Sequence, residues 1–213
     1  MPQSGVVETL SFWRGHFGDD YARRCAPTAD NLAARALLWE DIFALMGPER
    51  PRSVMEVGAN VGANLLALRT ELGRATRMFA VEPNDLARCA LIESGAVYAT
   101  DAYAGIESAI GTVDLIFTCG VLIHIPPEDL EEFCAKIHRH AGRWIVAIEY
   151  FAAEPEEKPY RGHAGKLWKR DYGSFYMDHF PDLRPVACGF AWKRLANLDN
   201  VTWWLFEKKT TTG

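Results

Sequence analysis

Glu56, Gly58, Asn60 and Gly62 recur at every second position within the run SVMEVGANVGAN, Ser53 to Asn64. Val54, Met55 and Val57 precede this turn and Leu65, Leu66 and Leu68 follow it, so a buried strand stops at a tight turn and a helix begins. A second apolar run, Met78 to Val81, ends in Glu82, Pro83 and Asn84. Glycine turn plus downstream acid is how an open α/β sheet holds an adenosine: the turn lets the ligand approach the backbone, and the acid accepts the ribose hydroxyls. A turn built for pyrophosphate takes glycine at its first, third and sixth positions, which here are Gly58, Asn60 and Ala63. Asn tolerates the left-handed backbone that such a turn needs. A carboxylate at Glu56 repels phosphates and pairs with an amino group. S-adenosylmethionine (SAM) carries an ammonium and a sulfonium and no phosphate, so it suits this turn better than NAD. The plain alternative is a tight strand-to-helix junction with no ligand.

Further candidates follow the later strands. Asn84 caps the next helix beside the ribose. Asp101, after the short apolar run Ala96 to Ala99, is placed to take the adenine amino group, with Ala102 offering its N–H to the ring; otherwise it is a surface helix cap. The segment Thr118 to His124 ends a fourth strand, and the reactive crevice of such sheets lies outside the carboxyl ends of the strands. Cys119 and Gly120 then border the methyl group, and His124 is a general base or substrate orienter, or simply caps the helix near Pro126. Glu149 and Tyr150 end the fifth strand and, with Tyr160 to His163, form the acceptor side. Arg161 suits a carboxylate-bearing substrate, and Tyr176 extends the same wall. A charged, Pro-bounded loop is also what a solvated surface looks like. Core packing is the reading for Trp203 and Trp204.

The elements that must position these side chains alternate. A helix over Ala29 to Met46 is ended by Gly47 and Pro48, and the aromatic- and arginine-rich FWRGHFGDDYARR lies ahead of it. Strands at Ser53, Met78, Ala96–Ala99, Val113–Cys119 and Trp144–Tyr150 are separated by helices, including Asn84 to about Glu93 and Pro127 to His140. Phe151 to Arg170 reads as an inserted loop, followed by a helix to His179 and by strands near Pro185–Trp192 and Val201–Glu207. This rhythm predicts a doubly wound, mostly parallel, seven-stranded α/β sheet with an N-terminal helical lid and a C-terminal antiparallel hairpin. That is the architecture of Rossmann-like SAM-dependent methyltransferases, whereas dinucleotide dehydrogenases usually begin at the first strand.

At 213 residues and 49% hydrophobic content the chain is expected to form one domain: a prelude over 1–50, a cofactor-binding core over 51–150, and a substrate-side insertion with terminal strands over 151–213. A net charge of −5 without a long Lys/Arg run argues against nucleic acid as the main partner. No apolar run approaches the ~20 residues of a membrane span, and no signal pattern opens the chain. The five scattered cysteines lack metal-type spacing and suit a reducing cytoplasm. Thr210 to Gly213 is expected to fray.

The segments FWRGHFGDDYARR, EVGANVGANL, GVLIHIPPEDL, EYFAAEPEEKPYRGHAGKLWKRD and GFAWKR with WWLFEK carry a resemblance to the pseudaminic acid biosynthesis-associated methylases, across nearly the whole chain. That family commonly carries Asn after the Tyr-x-x-Arg of its N-terminal motif; here Cys25 stands there. The resemblance implies a SAM-binding fold in which the N-terminal element covers the cofactor. Arg24 would then pair with the SAM carboxylate, Tyr21 would hydrogen-bond beside it, and Trp13 or Phe17 would face the sulfonium. The expected activity is methyl transfer from SAM to a small polar metabolite in a biosynthetic setting. Two alternatives stay open: a cyclase that takes SAM as its sole substrate and forms azetidine-2-carboxylate and methylthioadenosine, and a SAM-binding module without turnover. The oligomeric state is left undetermined.

Overall fold

The computed structural model describes residues 5–109 and 111–209. Strands β1 (Ser53–Val57), β2 (Arg77–Val81), β3 (Ala102–Tyr103), β4 (Val113–Cys119) and β5 (Ala141–Glu149) run parallel, and β8 (Leu183–Ala191) and β9 (Val201–Lys208) add an antiparallel hairpin. The seven-stranded order is β3-β2-β1-β4-β5-β9-β8, with β1 between β2 and β4. Asp114 fixes the register at the start of that central pair. Its Oδ2 accepts the N–H groups of Arg52 and Ser53 at 2.7 and 3.2 Å, while Ser53 Oγ accepts its N–H at 2.9 Å.

Helices α3 (Ala29–Leu45), α4 (Ala63–Leu72) and α5 (Asp85–Glu93) bring Trp39, Phe43, Leu65, Leu68 and Leu91 into a core with Val54, Leu115, Phe117 and Trp203. Helices α6 (Leu130–His140) and α7 (Tyr172–His179) build a second core with Met55, Val57, Ile116, Ile145 and Trp204. Neighbouring residues Val54 and Met55, like Trp203 and Trp204, enter opposite cores because successive strand side chains alternate faces. A sheet covered on both faces needs the nearly continuous apolar runs found here. The remaining helices are α1 (Gly5–Arg14) and α2 (His16–Arg24) before the sheet, and the short α8 (Lys193–Ala196) between β8 and β9.

Several boundaries differ from the sequence expectation. The third strand is Ala102–Tyr103 and not Ala96–Ala99: Ala96 and Val97 are buried in the first core by packing, and Ala99–Asp101 forms a 3-10 turn. The helix expected from Pro127 starts at Leu130; ahead of it Asp129 N–H closes a separate turn onto Pro126 O at 3.0 Å. The inserted loop contains a small antiparallel pair, β6 (Glu156–Glu157) and β7 (Trp168–Lys169). Asp171 caps α7 by accepting Ser174 N–H at 2.9 Å. Thr210 to Gly213 lies outside the described residues. Among the described residues no helix is long and apolar enough to cross a membrane.

Trp39 is fully enclosed, edge-on to Phe117 with ring centroids 4.6 Å apart, and its indole N–H has no hydrogen-bond partner. Trp39→Ala is expected to cost about 3–5 kcal/mol by opening a cavity. Trp39→Phe keeps most of the packing and removes the unpaired donor, so its cost should be well below that. Denaturant titration of both variants checks this, and a Trp39→Phe cost close to that of Trp39→Ala would show that the indole N–H is satisfied in the fold.

Candidate functional site

The turn between β1 and α4 is left-handed at Gly58 (φ 77°), Asn60 (φ 48°) and Gly62 (φ 85°). A Cβ on Gly58 would come within 2.3 Å of Val121 Cγ2. Glu82, at the end of β2, secures the turn. Its Oε2 accepts Asn60 N–H at 2.7 Å and its Oε1 accepts Asn84 N–H at 2.8 Å. The carboxyl is buried, which raises its pKa, while those two N–H groups pull it down.

Glu56 is 1% exposed. Asn64 Nδ2 donates to its Oε1 at 2.6 Å, whereas Oε2 has no partner. Burial pushes its pKa up to about 8, against the lowering effects of Asn64 and Arg35. Arg35, in the middle of α3, donates from Nη1 to Asn64 Oδ1 at 2.5 Å and from Nε to Asn31 Oδ1 at 2.9 Å. It has no carboxylate partner among the described residues, although it lines the same cavity as Glu56. An unpaired guanidinium and an unsatisfied carboxylate oxygen on one cavity complement the two charges of an α-amino acid.

That cavity, about 230 Å³, lies over the carboxyl ends of β1, β2 and β4. It is lined by the turn, by Glu82 to Asn84 after β2, by Ala104 to Glu107 after β3, and by Cys119 to Val121 and His124 after β4. His124 closes the 3-10 segment Leu122–His124. Glu149, fully buried at the end of β5, accepts the N–H groups of Val121, Leu122 and Ile123 at 3.2, 3.2 and 3.4 Å. Burial lifts Glu149 to about 7, against the pull of those donors. His124 Nδ1 lies 2.6 Å from Lys166 O, and burial lowers the imidazole to about 4.

Helices α1 and α2 roof the cavity. Trp13 meets Tyr21 and His124 with ring centroids 5.4 and 4.8 Å apart, and Trp13 and Tyr21 both line the space beneath. Asn84 Nδ2 donates to Trp13 O at 3.1 Å and Asp19 Oδ1 at 2.8 Å. The approach is close enough that a Cβ on Gly18 would stand 1.7 Å from Trp13 O. Lys166 pairs with Glu8 at 2.9 Å, and Phe12 and Phe17 pack on His163 with centroids 5.1 and 5.5 Å away.

Of the residues singled out in the sequence, Tyr21, Glu56, Gly58, Asn60, Glu82, Asn84, Cys119, Gly120 and His124 share this cavity. Gly62 shapes the turn from behind, against Leu91 and Ala96. Other candidates are placed elsewhere. Asp101 is buried against Arg77, with Nη2 to Oδ1 at 2.9 Å; because β3 begins after it, Asp101 falls at the amino end of that strand, away from the cavity. Ala102 pairs with Ala80 within the sheet. Arg24 is exposed beside the Tyr21 ring, and Arg161 is exposed beside Tyr160. Tyr150 donates to Asp199 at 3.1 Å, and Tyr176 is fully enclosed in the second core between Phe180 and Phe206. Sequence reasoning missed Arg35, Glu107 and Lys136. Arg35 lies in a helix read only for its apolar face, and Glu107 follows β3 only once that strand is correctly placed; Lys136 pairs with Glu107 at 2.9 Å.

No family model matches the chain, and no curated protein matches it. Solved structures do. The magnesium protoporphyrin IX methyltransferase of Synechocystis PCC 6803, with bound SAM, aligns with a TM-score of 0.66 at 13% identity, covering 97% of this chain and 98% of that one. The Burkholderia thailandensis 1,6-didemethyltoxoflavin-N1-methyltransferase, with its substrate and S-adenosylhomocysteine, gives 0.68 at 15% identity, covering 99% and 93%. The plantazolicin methyltransferase, with a desmethyl substrate analogue and S-adenosylhomocysteine, gives 0.64 at 10% identity, covering 97% and 96%. The fold is therefore that of class I SAM-dependent methyltransferases.

Glu56 sets a pH dependence for the ligand-free protein. Its folded pKa of about 8 lies above the unfolded value of 4.5, so the pH-dependent cost of holding it neutral is absent below pH 4.5 and grows progressively as pH rises toward 8. Each pH unit in that window costs at most about 1.4 kcal/mol. Glu56→Gln cannot ionise, so its stability relative to wild type should rise between pH 5 and pH 8 in chemical denaturation. Parallel curves for the two proteins would show that Glu56 is ionised in the fold.

Proposed function

We propose that this chain is a SAM-dependent methyltransferase acting on a small polar metabolite. The observation that carries the reading is the pairing, on one cavity at the strand ends, of the unsatisfied Glu56 oxygen with the carboxylate-free Arg35, directly beside the Gly58 turn. Glu56 would take the ammonium of SAM and Arg35 its carboxylate, the latter in the role expected of Arg24. Glu82 keeps lone pairs beyond the two N–H groups it accepts, and these suit the ribose hydroxyls. Ala104 to Glu107 replace Asp101 and Ala102 beside the base, and the rings of Trp13 and Tyr21 suit the sulfonium. The buried acids Glu56 and Glu82 are a poor setting for a pyrophosphate.

SAM, when bound, supplies a methyl group on a positively charged sulfur that leaves as a neutral thioether. The chain contributes enclosure and alignment: α1 and α2 exclude water, and His124 with the Glu149-fixed backbone forms a rigid wall against which an acceptor is held. Methyl transfer is preferred over ring closure within SAM because the similar structures named above are methyltransferases, and cyclisation has no counterpart among them.

Binding should release protons. At pH 7 Glu56 is mostly protonated in the free protein, and an ammonium against Oε2 lowers its pKa. Calorimetry of SAM binding in buffers of different ionisation enthalpy should therefore give buffer-dependent heats, and Glu56→Gln should abolish that dependence while weakening binding by about 1.5–3 kcal/mol. Absence of SAM binding to the wild-type protein would sink the proposal. Buffer-independent heats would remove Glu56 from the ammonium site.

A further inference from the structure

The surroundings of His124 fix which nitrogen carries its proton. A carbonyl oxygen only accepts, so the nitrogen 2.6 Å from Lys166 O, Nδ1, is the donor and Nε2 carries the lone pair. Nε2 has no hydrogen-bond partner among the described residues, and the ring that carries it lines the cavity. The carbonyl is itself anchored on both sides. Leu167 O accepts Lys158 N–H at 2.9 Å, and Lys166 Nζ pairs with Glu8 and lies over the Phe12 ring, 5.4 Å from its centroid. Trp13 and Tyr160, at 4.8 and 4.7 Å, pack the imidazole into place. Burial without a neighbouring carboxylate keeps the ring neutral at physiological pH.

On the methyltransferase reading, we infer that His124 Nε2 selects an acceptor that donates a hydrogen bond, a hydroxyl or a weakly basic N–H, and rejects a carboxylate. A carboxylate would set its lone pairs against the lone pair of Nε2, and the proton needed to relieve this is the one burial withholds. Arg161, which the sequence offered as a carboxylate receptor, is exposed and does not line the cavity. A hydroxyl is held with a lone pair free for attack. Its oxygen forms the new bond to carbon, the electron pair of the broken carbon–sulfur bond stays on sulfur, and the hydroxyl proton passes to Nε2 and then to water. A weakly basic imidazole suffices, because the methylated oxygen still bearing its proton is a far stronger acid than imidazolium.

The test is nitrogen NMR of histidine-labelled protein saturated with S-adenosylhomocysteine, the His124 signals being assigned by their loss in His124→Gln. The expected result is a neutral ring protonated on Nδ1, with phenol shifting the Nε2 resonance and benzoate, of similar size, leaving it in place. A proton on Nε2, a shift with benzoate equal to that with phenol, or no response to phenol overturns the inference. In a second arm, methyl-labelled SAM is incubated with the enzyme and a small-molecule cell extract. Label in alkali-stable ethers or N-methyl products supports the inference, and label released by mild alkali, as from methyl esters, overturns it. Failure of S-adenosylhomocysteine to bind in calorimetry defeats the SAM reading instead, and the tautomer of the ligand-free protein then still reports whether His124 is locked as described.

Discussion

One buried carboxylate joins the parts of this structure that have to meet. Glu82 accepts the N–H of Asn60, in the left-handed turn after β1, and the N–H of Asn84, at the start of α5. Asn84 in turn caps α5 with its oxygen and fastens α1 and α2 with its amide nitrogen. Sheet, turn, helix and roof are thus connected through two hydrogen-bonding residues on either side of Pro83. A carboxylate can serve this purpose where an amide cannot, since both partners are donors and both oxygens must accept. Its two anchored oxygens also leave it rigid, which is what recognition of a diol requires.

The electrostatics around the cavity follow from burial more than from pairing. Glu56 and Glu149 are driven toward their neutral forms and so is His124, each chiefly by loss of water. The three differ in what remains unsatisfied. Glu149 spends its oxygens on the backbone of the segment that ends in His124, so it acts as scaffold. Glu56 keeps one oxygen unmatched, and Arg35 supplies the opposite charge without closing an ion pair on it. Burying an unmatched oxygen destabilises the ligand-free fold, and a cationic ligand is the kind of partner that reverses the cost.

The roof and the insertion are joined by side-chain contacts. Lys166 reaches α1 through its ammonium and His124 through its carbonyl, while Phe12 and Phe17 clasp His163. The roof helix α1 and the imidazole that lines the cavity are thus held by the same residue. Without that enclosure the dielectric near His124 would rise and the ring would titrate in its ordinary range.

The sequence by itself determined the α/β rhythm, the position of the Gly58 turn, the acid after β2, the helix cap at Asn84 and the placement of His124 after β4. Each is written in a local pattern: an apolar run, a turn residue, or an acid at the end of a strand. It misjudged β3, because buried Ala96 and Val97 look the same whether they pair or merely pack, and Asp101 was carried to the wrong end of the strand with them. It named Arg24 and missed Arg35. Both lie on helices, and which guanidinium reaches the cavity depends on how those helices cross the sheet, a property of packing between elements far apart in sequence. Tyr150 was drawn toward the site by its place at a strand end and Tyr176 by its place on the helix after the insertion; tertiary packing gave the first to Asp199 and turned the second into core. Spacing along the chain reports what a residue is able to do, and the long-range contacts decide which residues are brought together to do it.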